Sequence, residues 1–183
     1  MILNSRNNLF DFRFPTHFVP DEVAAKYKPY LQKIPGTMLE EPIDFINYTI
    51  QAVNLPGIAF DPVTQSDNDG TLRYHRGKIP IQNTITREFT IQMQLLDGYI
   101  NYWIMVDSLL FYYARQNRDP YLPDLKLRIL DAEGLGVASI TFEKPIMKGI
   151  SELNLNLAEN VAEFNTFDLD FVYNKFHIKI DID

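Results

Sequence analysis

The sequence contains no cysteine and only three histidines. Without cysteine there is no disulfide framework and no thiolate nucleophile or ligand, a composition that fits maturation in a reducing cytoplasm. His17, His75 and His177 are far apart and form neither an i, i+4 pair nor a His-Glu motif, so no metal site is expected. Positive charge is also scarce: 17 Lys and Arg stand against 24 Asp and Glu, for a formal net charge of -7. The deficit deepens from Asp131 onwards, where ten acidic residues meet four basic ones. A basic stripe that releases counterions is therefore missing, and tight binding to nucleic acid is disfavoured, although transient passage of DNA stays compatible. Long apolar runs are absent too. The richest stretch, Tyr99 to Ala114, contains Asn101, Asp107 and Ser108 and is too short to span a bilayer comfortably. The first eight residues lack the apolar core and small-residue cleavage site of a signal peptide, so a soluble chain is expected.

Catalytic signatures are missing as well. Ser108, Ser139 and Ser151 lie outside any Gly-x-Ser-x-Gly elbow, and Gly134 and Gly136 do not open a helix as a phosphate or dinucleotide loop would. Asp168 and Asp170 share a strand face, as glycosidase carboxylates sometimes do, but they extend a row of polar residues and fit a wet sheet face better. Asp61, Asp67 and Asp69 supply clustered oxygens without the spacing of a calcium loop. No catalytic residue, cofactor or metal ligand is assigned, and the chain is read as a non-enzyme.

What is present is enough apolar material, 46% of 183 residues, to build one core without staples. Its distribution is mainly that of strands. Leu9 to Phe14 alternates and is closed by Pro15. Arg87 to Leu95 is the cleanest case, with Phe89, Ile91, Met93 and Leu95 on one side and Thr90, Gln92 and Gln94 on the other. Strands are also expected over 72–81, from Leu125 through Ile129, over 137–143, and in a last pair built from Leu153, Leu155, Leu157 and Phe167 to Tyr173. The alternation in that pair puts Asn154, Asn156, Asp168 and Asp170 on a polar face. Phe45 to Ala52 reads as a strand, with a helix as the alternative, and 176–183 as a charged tail able to add an edge strand.

Two helices are expected. One follows Pro20, where Asp21 and Glu22 favour a start, and is kinked or shortened by Pro29. The other follows Asp97-Gly98 and runs to about Gln116, with a core stripe of Tyr99, Trp103, Val106, Leu110 and Tyr113 lying over the apolar sheet face. Asp61 to Gly70, including Asp67, Asn68 and Asp69, reads as an exposed loop. The fold class is thus mainly β, an antiparallel sandwich or barrel with one long packed helix and an extra N-terminal helix, over a single domain.

In order and spacing these elements resemble the tail tube protein family of contractile-tailed bacteriophages, related in fold to the type VI secretion tube protein. The resemblance is carried by residues 8–14, by Ala52-Val-Asn-Leu-Pro-Gly-Ile58, by Tyr74-His-Arg-Gly-Lys-Ile79 leading into Phe89-Thr-Ile-Gln-Met93, by the helix around Trp103, and by the strands from Ile140 to Tyr173. Residues 15–46 stand apart as a helical insertion between the first two strands. The resemblance implies a structural virion protein whose hexameric rings stack into a hollow tube that conducts the genome. It implies sheath, baseplate and neck partners, no membrane, and assembly in the bacterial host cytoplasm. Thr90, Gln92, Gln94, Asn154, Asn156, Asp168 and Asp170 become candidates for the lumen face, and Asp61, Asp67, Asn68, Asp69 and Gly70 for an inter-ring loop. A tube-like baseplate, neck or tail ring, a secretion-system tube, and a monomeric carbohydrate-binding or hydrolytic β-sandwich remain open on the sequence.

Overall fold

The computed structural model describes residues 9–34, 41–55, 63–67, 69–75, 87–114, 121–153 and 165–180. Among these, the chain is mainly antiparallel β with three α-helices. The elements run β1 (Phe10–Arg13), α1 (Asp21–Leu31), α2 (Pro42–Tyr48), β2 (Ile50–Asn54), β3 (Val63–Ser66), β4 (Leu72–His75), β5 (Glu88–Gln94), α3 (Ile100–Ala114), β6 (Leu125–Leu130), β7 (Gly136–Glu143), β8 (Ile146–Ile150), β9 (Thr166–Val172) and β10 (Lys175–Ile180). Sheet I has the order β1-β6-β7-β10 and sheet II the order β2-β5-β9-β8, while β3 and β4 form a separate hairpin. All pairings are antiparallel.

The sheets meet through aromatic side chains that alternation places inward. Phe89 of β5 stacks on Phe142 of β7 with centroids 4.3 Å apart, and on Phe171 of β9 at 5.1 Å. Beside them, Phe14 stacks on Phe18 at 4.0 Å, and both reach Phe171. Each such ring contributes about 1.5–3 kcal/mol on burial, so these few side chains dominate the contact between the layers. Sheet I covers one part of the inner face of sheet II. Helix α3 covers another, burying Ile104 and Met105 and placing Tyr102 edge-on to Phe167. The sheets do not close into a barrel among the described residues.

Four sequence expectations are corrected. Phe45 to Ala52 divides into α2 and β2, because Pro42 opens a helical turn that buries Phe45 and Ile46, and the buried Thr49 ends it by donating its hydroxyl to the Ile46 carbonyl at 2.8 Å. Strand β9 takes β8 as its neighbour, not the Leu153 to Leu157 segment; Leu153 is irregular, and Leu155 and Leu157 lie outside the described residues. Asp61 to Gly70 is not a continuous loop: β3 pairs with β4 across a tight turn in which the Gly70 N–H donates to the Asp67 carbonyl, with Gly70 at φ 81°. The fourth is the helical stripe. Trp103, Leu110 and Tyr113 are 46%, 61% and 61% exposed, Tyr99 and Val106 are half-buried, and the core side of α3 is Asn101, Ile104, Met105 and Ser108. Helix α1 continues through Pro29 and ends two residues later at Leu31, and β10 supplies the edge strand expected of the tail.

Candidate functional site

Helix α3 can turn polar residues inward because each is satisfied on the spot. The Asn101 amide donates to the Gln94 carbonyl at 2.6 Å, closing the β5 end onto the helix, and the Ser108 hydroxyl donates to the Ile104 carbonyl at 2.7 Å. The consequence is an outer helix surface of large apolar side chains, with Asp107 the helix's only ionised group. Asp107 itself is tied to the N-terminal helix: Lys26 donates to it at 2.5 Å and the Tyr27 hydroxyl at 2.7 Å. Burial pushes the Asp107 carboxyl up, but those two donors outweigh it and hold the group below its ordinary range. The hydrogen bond to Asp107 raises the Lys26 ammonium in turn, and burial raises the Tyr27 phenol.

Register brings most of the expected polar face together on sheet II. Thr90 lies opposite Asp170, Gln92 opposite Asp168 and Gln94 opposite Thr166, all on the side away from the core. The face is cross-linked: the Thr90 hydroxyl donates to Asp170 at 2.9 Å, Gln51 bridges from β2 to Gln94 at 3.0 Å, and the Asp168 N–H donates to the Ser151 hydroxyl at 2.9 Å. Lys148 joins Glu88 at 2.9 Å, and that hydrogen bond raises its ammonium. One oxygen of Asp168 is buried with no hydrogen-bond partner among the described residues. Asn154 and Asn156, the remaining lumen candidates, lie outside the described residues. Gln51, Lys148 and Ser151 escape a strand-by-strand reading because they sit at or beside irregularities in the ladder, where alternation breaks between Ile50 and Ala52 and between Met147 and Gly149.

Among the described residues no group of His, Asp and Glu is placed to hold a metal ion. An open groove of about 670 Å³ lies between the two edge strands β1 and β2, lined by Phe10, Asp11, Asp44, Asn47 and Tyr48 among others, away from Asp168 and Asp170. The Asn47 amide secures its rim, accepting from the Phe14 N–H at 2.7 Å and donating to the Phe14 carbonyl at 3.3 Å.

Three further surfaces lack a packing partner among the described residues. The hairpin β3–β4 has no buried side chain among those described, and its register puts Leu72 and Tyr74, 60% and 69% exposed, on one face with Thr64 and Ser66. Its tip is ordered from within: Arg73 pairs with Asp67 at 2.6 Å, and the Thr71 N–H donates to Asp69 at 3.0 Å, which holds the Asp69 carboxyl below its ordinary range. Asp61 and Asn68, the other members of the expected loop, lie outside the described residues. Edge strand β10 continues the inner apolar rows of sheet I beyond their cover, leaving Ile178 and Ile180 more than half exposed. The outer stripe of α3 is the third.

No family model matches the sequence, and no curated protein matches it. Among solved structures, the chain is similar to the anti-feeding prophage tube terminating cap, at 12% identity over 72% of this chain and 80% of that one, with a TM-score of 0.48. It is also similar to a chain of the sheath-tube complex of an extracellular contractile injection system, at 10% identity over 72% of this chain and 80% of that one, with a TM-score of 0.48. It is also similar to Hcp1 from Flavobacterium johnsoniae, at 10% identity over 70% of this chain and 84% of that one, with a TM-score of 0.33.

Proposed function

We propose that this chain is a structural subunit of a hollow tube, in which copies join edge to edge around a ring, rings stack, and the polar face of sheet II lines the channel. The observation that carries the reading is sheet II itself. One of its faces is sealed in the core, the other is polar along β5 and most of β9, and among the described residues its edge strands β2 and β8 have one neighbour each. Open edges are an aggregation hazard unless they are paired or covered, and closure into a ring removes them. Strand direction suits this closure. Four antiparallel strands leave β2 and β8 running in opposite directions, so rotated copies meet as β8 against β2 and the alternation continues unbroken around the ring.

The uncovered apolar surfaces take roles in the same assembly. The α3 stripe and the β10 flange are different patches on one molecule, which suits head-to-tail contacts between neighbours better than a two-fold dimer. A two-stranded hairpin is only marginally stable alone in water, so β3–β4 gains from docking on the next ring. A wall of Gln, Thr and carboxylate, in which Lys148 is already paired with Glu88 at 2.9 Å, repels phosphates more than it holds them, which fits a tail tube that conducts a phage genome. We read the assembly as virion-associated, with hexameric rings enclosed by sheath and joined to baseplate and neck proteins.

Cysteine pairs test the closure, since the chain has none of its own. Within one copy β2 and β8 are three strand spacings apart, about 14 Å, beyond the reach of a disulfide. Asn54→Cys or Gln51→Cys on β2, combined with Lys148→Cys or Ile150→Cys on β8, should give a ladder of covalent oligomers on mild oxidation. Failure of every pairing to cross-link between copies would contradict edge-to-edge closure.

A further inference from the structure

Sheet I has an outer face of opposite character. Pairing aligns two rows across its four strands: Arg13, Lys126, Thr141 and His177 in one, and Asp11, Arg128, Ser139 and Lys179 in the other, with Lys175 opposite Glu143 at the end. In a chain of net charge -7 this single face gathers Arg13, Lys126, Arg128, Lys175 and Lys179 against Asp11 and Glu143 among the described residues of these strands. Between them, β7 carries only the small side chains of Ser139, which is buried, and Thr141, which is half-buried, so the long, exposed cationic side chains of β6 and β10 stand out on either side. The Arg128 guanidinium lies over Gly136, where an added Cβ would meet its nitrogen at 2.9 Å. Asp11 accepts from Arg13 at 3.1 Å and stands 3.9 Å from Arg128, while Glu143 meets His177 at 2.7 Å.

We infer that this face is the docking surface for an acidic protein that surrounds the assembly. The inference rests on the tube reading: if sheet II faces the channel, sheet I is the other layer of the sandwich and faces outward. Charge complementarity identifies the occupant. A cationic sheet on an otherwise acidic molecule is matched by a locally acidic surface brought within about 8 Å, the screening length at physiological salt, where the distant negative charge no longer dominates. Protein is favoured over nucleic acid because Asp11 and Glu143 interrupt the cations. They would face phosphates unfavourably, whereas a protein surface can place donors on them. The surface over the buried Ser139 and the half-buried Thr141 has no deep groove for a polyanion strand.

The test uses the full chain, with poly-L-glutamate as the acidic polypeptide and duplex DNA of equal total charge as the competing probe, both followed by fluorescence anisotropy against salt. Wild type should bind polyglutamate more tightly than DNA. The triple variant Lys126→Glu/Lys175→Glu/Lys179→Glu should weaken polyglutamate binding by more than about tenfold, since like charges in contact are costly. Lys126→Gln/Lys175→Gln/Lys179→Gln serves if reversal impairs folding, and Lys33→Glu on the α1 end should bind as wild type does. Undiminished binding by both triple variants, or tighter binding of DNA, would overturn the assignment. Acetylation of lysines before and after assembly separates this inference from the tube reading. Lys126 and Lys175 should stay reactive in rings, and their protection would make the face a contact between copies. Absence of rings would defeat the tube reading, while the polyglutamate measurement would still report on the cationic face.

Discussion

The two sheets share a core and an alternation, yet their outer faces differ in chemistry. Sheet II presents Thr90, Gln92, Asp168 and Asp170, with Thr90 hydrogen-bonded to Asp170, whereas sheet I presents a cationic surface with small residues on β7. Inward, the two are the same kind of surface, and Phe89, Phe142 and Phe171 belong to one stack. The same strands therefore carry a shared core on one side and contrasting chemistry on the other. The core side needs only shape and apolarity, while the outer sides differ in charge.

The largest effect should come from the shared side. Phe89→Ala removes the ring that stacks on Phe142 of sheet I and on Phe171 of sheet II and should cost about 3–5 kcal/mol, read as a fall in the urea midpoint. A loss below about 1 kcal/mol would mean that the sheets do not depend on one another. Next comes the outer side of α3. Trp103→Glu/Leu110→Glu should leave folding within about 0.5 kcal/mol per site of wild type, because these side chains are exposed, while abolishing ring formation. Severe unfolding instead would return the stripe to the core.

A smaller effect isolates the face of sheet II. Asp170→Lys removes the acceptor for Thr90 and introduces a cation into the proposed channel, so rings should form normally and passage of DNA should slow. Unchanged passage would place that face elsewhere. The smallest effect concerns the clamp that fixes α3 against α1. Because Asp107 is held below its ordinary value of 3.8 in the folded chain, its contribution is present above that pH and is lost as pH falls through the folded value. Asp107→Asn should therefore reduce stability by about 0.2–1 kcal/mol at pH 7 and flatten the decline in acid. An unaltered pH profile would show that the carboxylate does not carry it.

The sequence is most legible where two periodic patterns agree. Strand β5 is unambiguous because every second residue is buried and the others have polar side chains, and the same holds for β9 from Thr166 to Phe171. Helix α3 is legible as a helix but not in its orientation. Almost all its residues are apolar, so the stripe through Trp103 and Leu110 competes on equal terms with the one through Ile104 and Met105, and only the pairing of Asn101 with the end of β5 decides between them. The hairpin β3–β4 escapes notice for the opposite reason: it has no core face to impose alternation, although Asp67-Asn68-Asp69-Gly70 between Val63–Ser66 and Leu72–His75 is the turn signal that marks it. The cationic face is invisible to net charge, because strands distant in sequence assemble it within an acidic chain.

The central claim is that copies of this chain join their open sheet edges around a channel. Size-exclusion chromatography with light scattering, followed by negative-stain imaging of the same fractions, tests it most directly. The account predicts rings or stacked tubes with a stain-filled centre, several times the mass of one chain. A stable, monodisperse particle of 21.3 kDa at high protein concentration would contradict it.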